Sequence, residues 1–332
     1  MKKVLFLLLN VLVSVFFVWL ATRGIDWTQL GSSLTSISLT LVIFSVIINQ
    51  FSLWLRAWRW KFLLAPLKDV PTLSLFSNVS IGFMINNILP FRLGEIARGY
   101  ILKKEHQISF TASMATVVVE RVIDVISLLT VFGVLVIIFP FPEWIKTAGM
   151  VVGAIDLAAI IFMILLVKNT EATCRLVQSM ISVFPDSLKQ RVDRLLRSFV
   201  SGITFTHALG TTVVIAMLSF LIWAVYTVSI WIMFKACNAP ELATLDLIDA
   251  TIVMTFSSFA VMIPAAPGYV GTFHEVVKQS LMMFRVDREV ALGFAIVIHA
   301  FNYAAQIVIG VGYWIKTNFN LKEALSNVHE EK

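Results

Sequence analysis

The residues of this chain best placed to do chemistry are ionisable side chains set inside apolar runs. Asn86–Arg98 reads NNILPFRLGEIAR and gathers Arg92, Glu95 and Arg98 beside the amides Asn86 and Asn87. Farther on, VVVERVID places Glu120, Arg121 and Asp124 at spacings that share one helix face. Near the other end, MIPAAPGYVGTFHE, Met262 to Glu275, carries Gly268, Gly271 and Glu275. His299, Asn302 and Gln306 follow at i, i+3 and i+7, a single polar stripe on one helix, and Asp156 is a lone acid in another apolar run. Arginines beside the free N–H groups of helix limbs that begin after Gly94 and Gly271 suit an anion such as a phosphate. Glu95 and Glu275 would offset excess positive charge, or handle a cation or a proton.

These groups are carried by membrane-length elements. The composition is 58% hydrophobic and 14% charged, against about 25% charged in soluble domains. Six runs read as full spans: 4–21, 38–55, 111–139, 148–167, 207–234 and 291–315. Each approaches the ~20 residues needed to cross a bilayer. Two further runs, 71–89 and 247–263, end at proline motifs and are followed by shorter limbs, 93–103 and 270–284. Proline removes a backbone donor and breaks a helix, so both read as re-entrant hairpins. The expected fold is an all-α polytopic membrane protein with six spans and two hairpins, eight membrane segments in one integral domain.

Basic residues orient it. With both hairpins re-entrant, the cytoplasmic side holds 19 of the 26 Lys and Arg and the opposite side six, Lys278 among them. That bias places both termini in the cytoplasm and the chain in the cell (inner) membrane. Full crossing by 71–89 would weaken the bias. In the hairpin arrangement each half, 1–140 and 148–315, reads span, span, hairpin, span, and three spans per half invert the second half against the first. Paired broken segments in inverted halves mark transporter binding sites. The first run resembles a signal peptide but is long and lacks a cleavage site near Ala21, so a retained span is expected. Trp54, Trp58 and Trp60 around Arg56 and Arg59 read as interfacial anchors. Residues 186–200, within a cytoplasmic segment 171–205, read as an amphipathic helix on the inner leaflet.

Counting from Thr111, Glu120 lies about 14 Å deep, and His299 lies about as deep counting from Val290. A charge at that depth costs about 2.5–3.5 kcal/mol, so the acids need a cavity or a partner. Arg92 and Arg98 are the expected partners. Two readings stand beside each other: a polar cavity, or a static clamp with side chains that satisfy the broken backbone.

The charge of +6 is spread through loops, which fits lipid headgroups and gives no basis for nucleic-acid binding. Cys174 and Cys237 form no metal or disulfide pattern. HEVVK at His274 lacks the second histidine of a zinc protease motif, and there is no phosphate-binding loop motif. No cofactor is expected. Asn78-Val-Ser80 matches a glycosylation triplet but falls in an apolar limb.

NNILPFRLGEIAR, ERVID and MIPAAPGYVGTFHE, in that order and spacing, resemble the lysylphosphatidylglycerol synthase transmembrane-region family of flippase-like proteins. The resemblance covers nearly the whole chain. It implies lipid handling: in bifunctional members the related region is associated with moving an aminoacylated phospholipid between leaflets, while a cytosolic domain attaches the amino acid. The chain ends at Lys332 without such a domain, so synthesis is not expected of it. The leading expectation is a lipid translocator. Arg92 and Arg98 would bind phosphate, Glu120, Arg121 and Asp124 would set local charge, and His299 and Asn302 would line the opposite wall. Its partners would be anionic or phosphate-bearing lipids, and a homo-oligomer is compatible with that role. The alternatives are a membrane enzyme or accessory acting on lipid-linked phosphate or sugar, with Glu95 or Asp124 as general base, and a scaffold without transport.

Overall fold

The computed structural model describes residues 2–35, 37–89, 92–182, 185–186, 189–190, 192–193, 209–262 and 267–317. Every regular element among them is helical. That follows from the composition: in an apolar environment the backbone must satisfy its own polar groups, and a helix does so within one segment. In order they are α1 Lys2–Thr22, α2 Trp27–Thr35, α3 Leu39–Leu64, α4 Thr72–Ile88, α5 Leu93–His106, α6 Phe110–Ile138 and α7 Glu143–Lys168. Then come α8 Thr170–Met180, α9 Leu209–Ala236, α10 Pro240–Ala243, α11 Leu247–Met262, α12 Thr272–Met282 and α13 Arg288–Thr317.

Five of these, α3, α6, α7, α9 and α13, are long and apolar enough to cross a membrane. α1 covers the first apolar run. The outside is as apolar as the core: Ile137, Val308 and Ile315 are all more than two-thirds exposed. A soluble protein would not present such side chains together; a lipid-facing surface does. The chain is an all-α integral membrane protein.

Both ambiguous runs form a helix that stops and is followed by a second one. α4 is 17 residues long and α11 is 16, lengths of about 24–26 Å. Pro90, Phe91 and residues 263–266, where the proline breaks were expected, lie outside the described residues, as does most of the expected surface helix 186–200 and the tail beyond Thr317. The residues flanking the breaks carry the turns. Arg92 has φ 52°, and Gly268 and Gly271 have φ 73° and 92°.

The described residues fall into two compact units. The first comprises residues up to Arg56, Phe76–Arg98 and Leu221 onward; the second comprises Ala57–Leu75 and Gly99–Phe220. Each unit thus draws on both halves of the sequence.

In the first unit, small residues let helices approach backbone to backbone. A Cβ on Gly94 would fall on the carbonyl of Gly82, and a Cβ on Gly82 would meet the Arg98 side chain. Asn86 Oδ1 accepts the Gly94 N–H at 2.8 Å, and the Asn78 amide donates to the Arg98 carbonyl at 3.1 Å. α4 and α5 are therefore the antiparallel limbs of one hairpin. Asn78 is buried, so its glycosylation triplet has no surface role. α3 and α9 meet through Ser45 and Ser229, whose hydroxyls lie 3.0 Å apart. In the second hairpin, α12 packs on α11 and α13. A Cβ on Gly271 would strike the α1 backbone at Ser14 and Val18.

In the second unit, α6 begins at a Ser109 cap that accepts from Ala112 N–H, and it packs along α7. Thr130 of α6 donates to the buried Asp156 of α7 at 3.1 Å. The end of α5 is fixed by His106, outside the candidate spans. Its Nε2 lies 2.7 Å from Ser74 Oγ, and its carbonyl accepts from Lys68 Nζ at 2.9 Å.

Two outcomes follow from this packing. Gly94→Val forces the hairpin limbs apart and lowers stability by about 1–3 kcal/mol, whereas Gly133→Ala, where a Cβ meets nothing within 4 Å, is neutral or stabilising; thermal denaturation in detergent reads both. The second concerns pH. Burial lowers the His106 pKa below its ordinary value near 6.5, against the pull of Glu105, while Lys68 lowers it further. The unfolded chain therefore protonates His106 first. The stability it contributes is complete above about pH 6.5 and is lost as pH falls through the folded value. Amide exchange around Ser74 and His106, corrected for intrinsic rates, should rise on acidification, and His106→Gln should abolish that rise.

Candidate functional site

The polar stripe on α13 lies against both helix breaks of the first unit. His299 Nε2 donates to the Gly268 carbonyl at 2.7 Å, since a carbonyl can only accept. One turn on, the Tyr303 hydroxyl donates to the Asn87 carbonyl at 3.1 Å. Next, Gln306 Oε1 accepts from the Asn87 side-chain amide at 2.8 Å. α13 thus supplies partners to backbone groups at the second break through His299 and at the first through Tyr303. The two breaks also touch: Arg92 donates to the Val261 carbonyl, near the end of α11, at 3.2 Å. Arg92 is otherwise exposed, so one N–H of its fork is used in holding the second hairpin.

The other residues singled out in the sequence surround this arrangement. Asn302 donates to the Ile298 carbonyl at 2.9 Å, and its Oδ1 lies 3.5 Å from the Gln50 amide nitrogen. Gln50 Oε1 is a buried acceptor with no hydrogen-bond partner among the described residues. Glu95 is half-buried in the first turn of α5, and Arg98 is buried along Gly82. Glu275 is buried and pairs with Lys278 at 2.7 Å. It also accepts from Gln279 at 2.7 Å.

Lys278, counted in the sequence reading only for its side of the membrane, is a buried member of this group. It is 2% exposed and donates to the carbonyls of Leu20 and Ala21 at 3.1 and 3.0 Å. Those are free carbonyls in the last turn of α1, where a cation is favoured. The Glu275–Lys278 spacing of three on one helix was the available signal. His274 was set aside as a failed protease motif. In the fold its ring stands 4.8 Å from that of His299, edge to face. Phe273 lies 5.2 Å from His299.

Glu120, Arg121 and Asp124 belong to the second unit. A partner bound there is Arg59, which the sequence reading did not single out as a partner; of the two arginines expected there, Arg92 and Arg98, Arg92 is bonded to the Val261 carbonyl. Arg59 lies 2.7 Å from Asp124 Oδ1 and 3.7 Å from Glu120 Oε1. It also donates to Ser219 Oγ at 2.9 Å. Arg121 pairs with Glu120 and, at 3.4 Å, with Asp124. These two arginines and two carboxylates pair with one another, with Arg59 and Glu120 fully buried. Trp60 is buried as well and donates to Thr116 at 2.9 Å. The interfacial reading of Arg59 and Trp60 therefore fails, while Trp54 and Trp58 are exposed. Helical periodicity contained the distinction: Arg56, Arg59 and Trp60 share one face of α3, Trp54 and Trp58 another.

Comparison with known proteins places this architecture. Glycosyltransferase AglD of Haloferax volcanii is 24% identical over 97% of this chain, which spans 56% of that protein's length. A UPF0104 membrane protein of Methanocaldococcus jannaschii is 25% identical over 72% of the chain and 97% of its own length. Another from Pyrococcus horikoshii is 23% identical over 89% of the chain and 91% of its own. No solved structure matches. The family described as the lysylphosphatidylglycerol synthase TM region matches residues 7–310, which is nearly the full set of helices described above; the chain belongs to that family.

Proposed function

We propose that the protein translocates a lipid with a phosphate-bearing headgroup, bound where the two hairpin breaks meet α13. One observation carries the reading: Arg92, exposed at the first break, is held to the second by the Val261 carbonyl. A guanidinium has five N–H donors in a fixed fork, so the donors left over can receive phosphate oxygens. Asn86, Asn87, Arg98, Asn302 and the residues from Gly268 to Glu275 would shape the pocket, and His299 would fix its wall. Deep polar groups beside broken helices are the usual substructure of midplane sites in transporters. The hairpins would be re-entrant, with both termini cytoplasmic and the two halves inverted, and the lipid tails would stay in the bilayer. Arg59, Glu120, Arg121 and Asp124 pair with one another, which suits a brace better than a binding site.

The matched glycosyltransferase supports a second reading. The chain would then be the membrane part of machinery acting on a lipid-linked phosphate or sugar. Product formation by the purified protein from a lipid phosphate and a sugar donor would favour that reading.

In proteoliposomes with a leaflet-resolved fluorescent phospholipid assay, the wild type should exchange lipid between leaflets. Arg92→Ala should slow exchange at least about tenfold, the effect of losing roughly 1.4 kcal/mol from a charge-assisted contact, with folded yield retained. An unchanged rate would refute the assignment. Arg59→Met should act differently. Breaking a buried pair by removing one partner costs about 3–5 kcal/mol, and here Arg121 remains the cation bonded to both carboxylates, so the change should lower folded yield and thermal stability. Replacing Glu120 and Asp124 together with Gln and Asn in the same chain should restore part of the loss.

A further inference from the structure

His274 and His299 sit together at the second break, and their hydrogen bonds differ in kind. His299 Nε2 carries a proton and donates it to the Gly268 carbonyl at 2.7 Å. His274 does the reverse: its Nδ1 accepts the Gly271 N–H at 3.4 Å, so that nitrogen carries no proton. Gly268 and Gly271 are the two glycines whose left-handed φ values, 73° and 92°, shape the turn. Each ring therefore holds one end of the same bend.

Protonation affects the two ends oppositely. A proton added to His299 goes to Nδ1, leaves the bond to Gly268 in place and strengthens it. A proton added to His274 must go to Nδ1, which then becomes a donor facing another donor, and the Gly271 bond is lost. The ring centroids are 4.8 Å apart. Two positive charges at that distance separate the two protonation steps by about two and a half pH units at an effective dielectric near 20. The pair therefore binds a single proton across a broad pH range.

Among the described residues, no carboxylate pairs with either ring. On α12, Glu275 is engaged by Lys278 at 2.7 Å. α13 presents His299 and Tyr303, the latter bonded to Asn87. The described side chains of α1, Leu12–Thr22, include no ionisable group, and α11 carries only Asp249, in its first turn. On the first hairpin, Arg92 is bonded to the Val261 carbonyl, and Glu95 lies half-buried in the first turn of α5.

We infer that His274 and His299 form a proton-binding site which takes one proton at a time and couples its position to the conformation of the second hairpin break. With the proton on His299 the bend is held at both ends; with it on His274 the Gly271 end is released. This rests on the translocation reading for its purpose, since a released bend would open the headgroup site, but the proton site itself can be tested without transport.

The test uses the full chain in lipid nanodiscs with nitrogen-15-labelled imidazoles. At pH 8 both rings should show the Nε2–H tautomer. On acidification the pair should take up one proton, and a second only about two and a half pH units lower. His299→Gln, which removes the competing base, should raise the midpoint of His274, and exchange at the Gly271 amide should rise with the same midpoint. Two protons bound independently, or a Gly271 amide indifferent to His274, would overturn the inference. In proteoliposomes, wild-type exchange should stay flat while the first proton binds His299 and accelerate by up to about tenfold per pH unit as a proton reaches His274, and His274→Gln should flatten that slope. A slope equal to wild type in His274→Gln would sink the coupling while leaving translocation intact. A wild type that moves no lipid would sink translocation and leave the proton site to be decided by the spectra.

Discussion

A helix interrupted in apolar surroundings frees N–H and C=O groups that have no water to turn to, and each must find a partner within the protein. That constraint organises the first unit. The Gly94 N–H goes to Asn86, the Asn87 carbonyl to Tyr303 and the Gly268 carbonyl to His299. Two of those three partners lie on α13, which explains why a span so apolar keeps a stripe of His299, Asn302, Tyr303 and Gln306. The groups that repair the breaks are the groups a headgroup would meet.

The second unit answers a different demand with different chemistry. Arg59, Glu120, Arg121 and Asp124 of α3 and α6 pair with one another, and Ser219 accepts from Arg59. Such a cluster adds little stability against an apolar replacement, yet it tolerates no single loss. Its members must therefore change together or not at all. Lys278 follows the same logic in miniature, shared between Glu275 and the last turn of α1.

Apolar run length made the helices legible, because bilayer thickness fixes how long a spanning helix must be. The two interrupted segments were legible from Pro and Gly, and the α13 stripe from its spacing. Partner identity was not. Arg59 sits among tryptophans in the sequence, and only the rotation of α3 separates the buried Arg59 and Trp60 from the exposed Trp54 and Trp58. His274 was hidden for another reason. Its neighbour His299 is 25 positions away, so no local pattern could bring the two rings together.

The Gly82–Gly94 contact limits how the first hairpin can move. Two chains that meet where neither has a side chain interlock like a notch, and the Arg98 stem lying across Gly82 closes it from the side. Sliding one limb along the other would drive a bulky neighbour, Phe83 or Glu95, into a gap sized for hydrogen. The limbs have one register only. Any rearrangement of that hairpin must carry both limbs as a single lever, swinging about its ends.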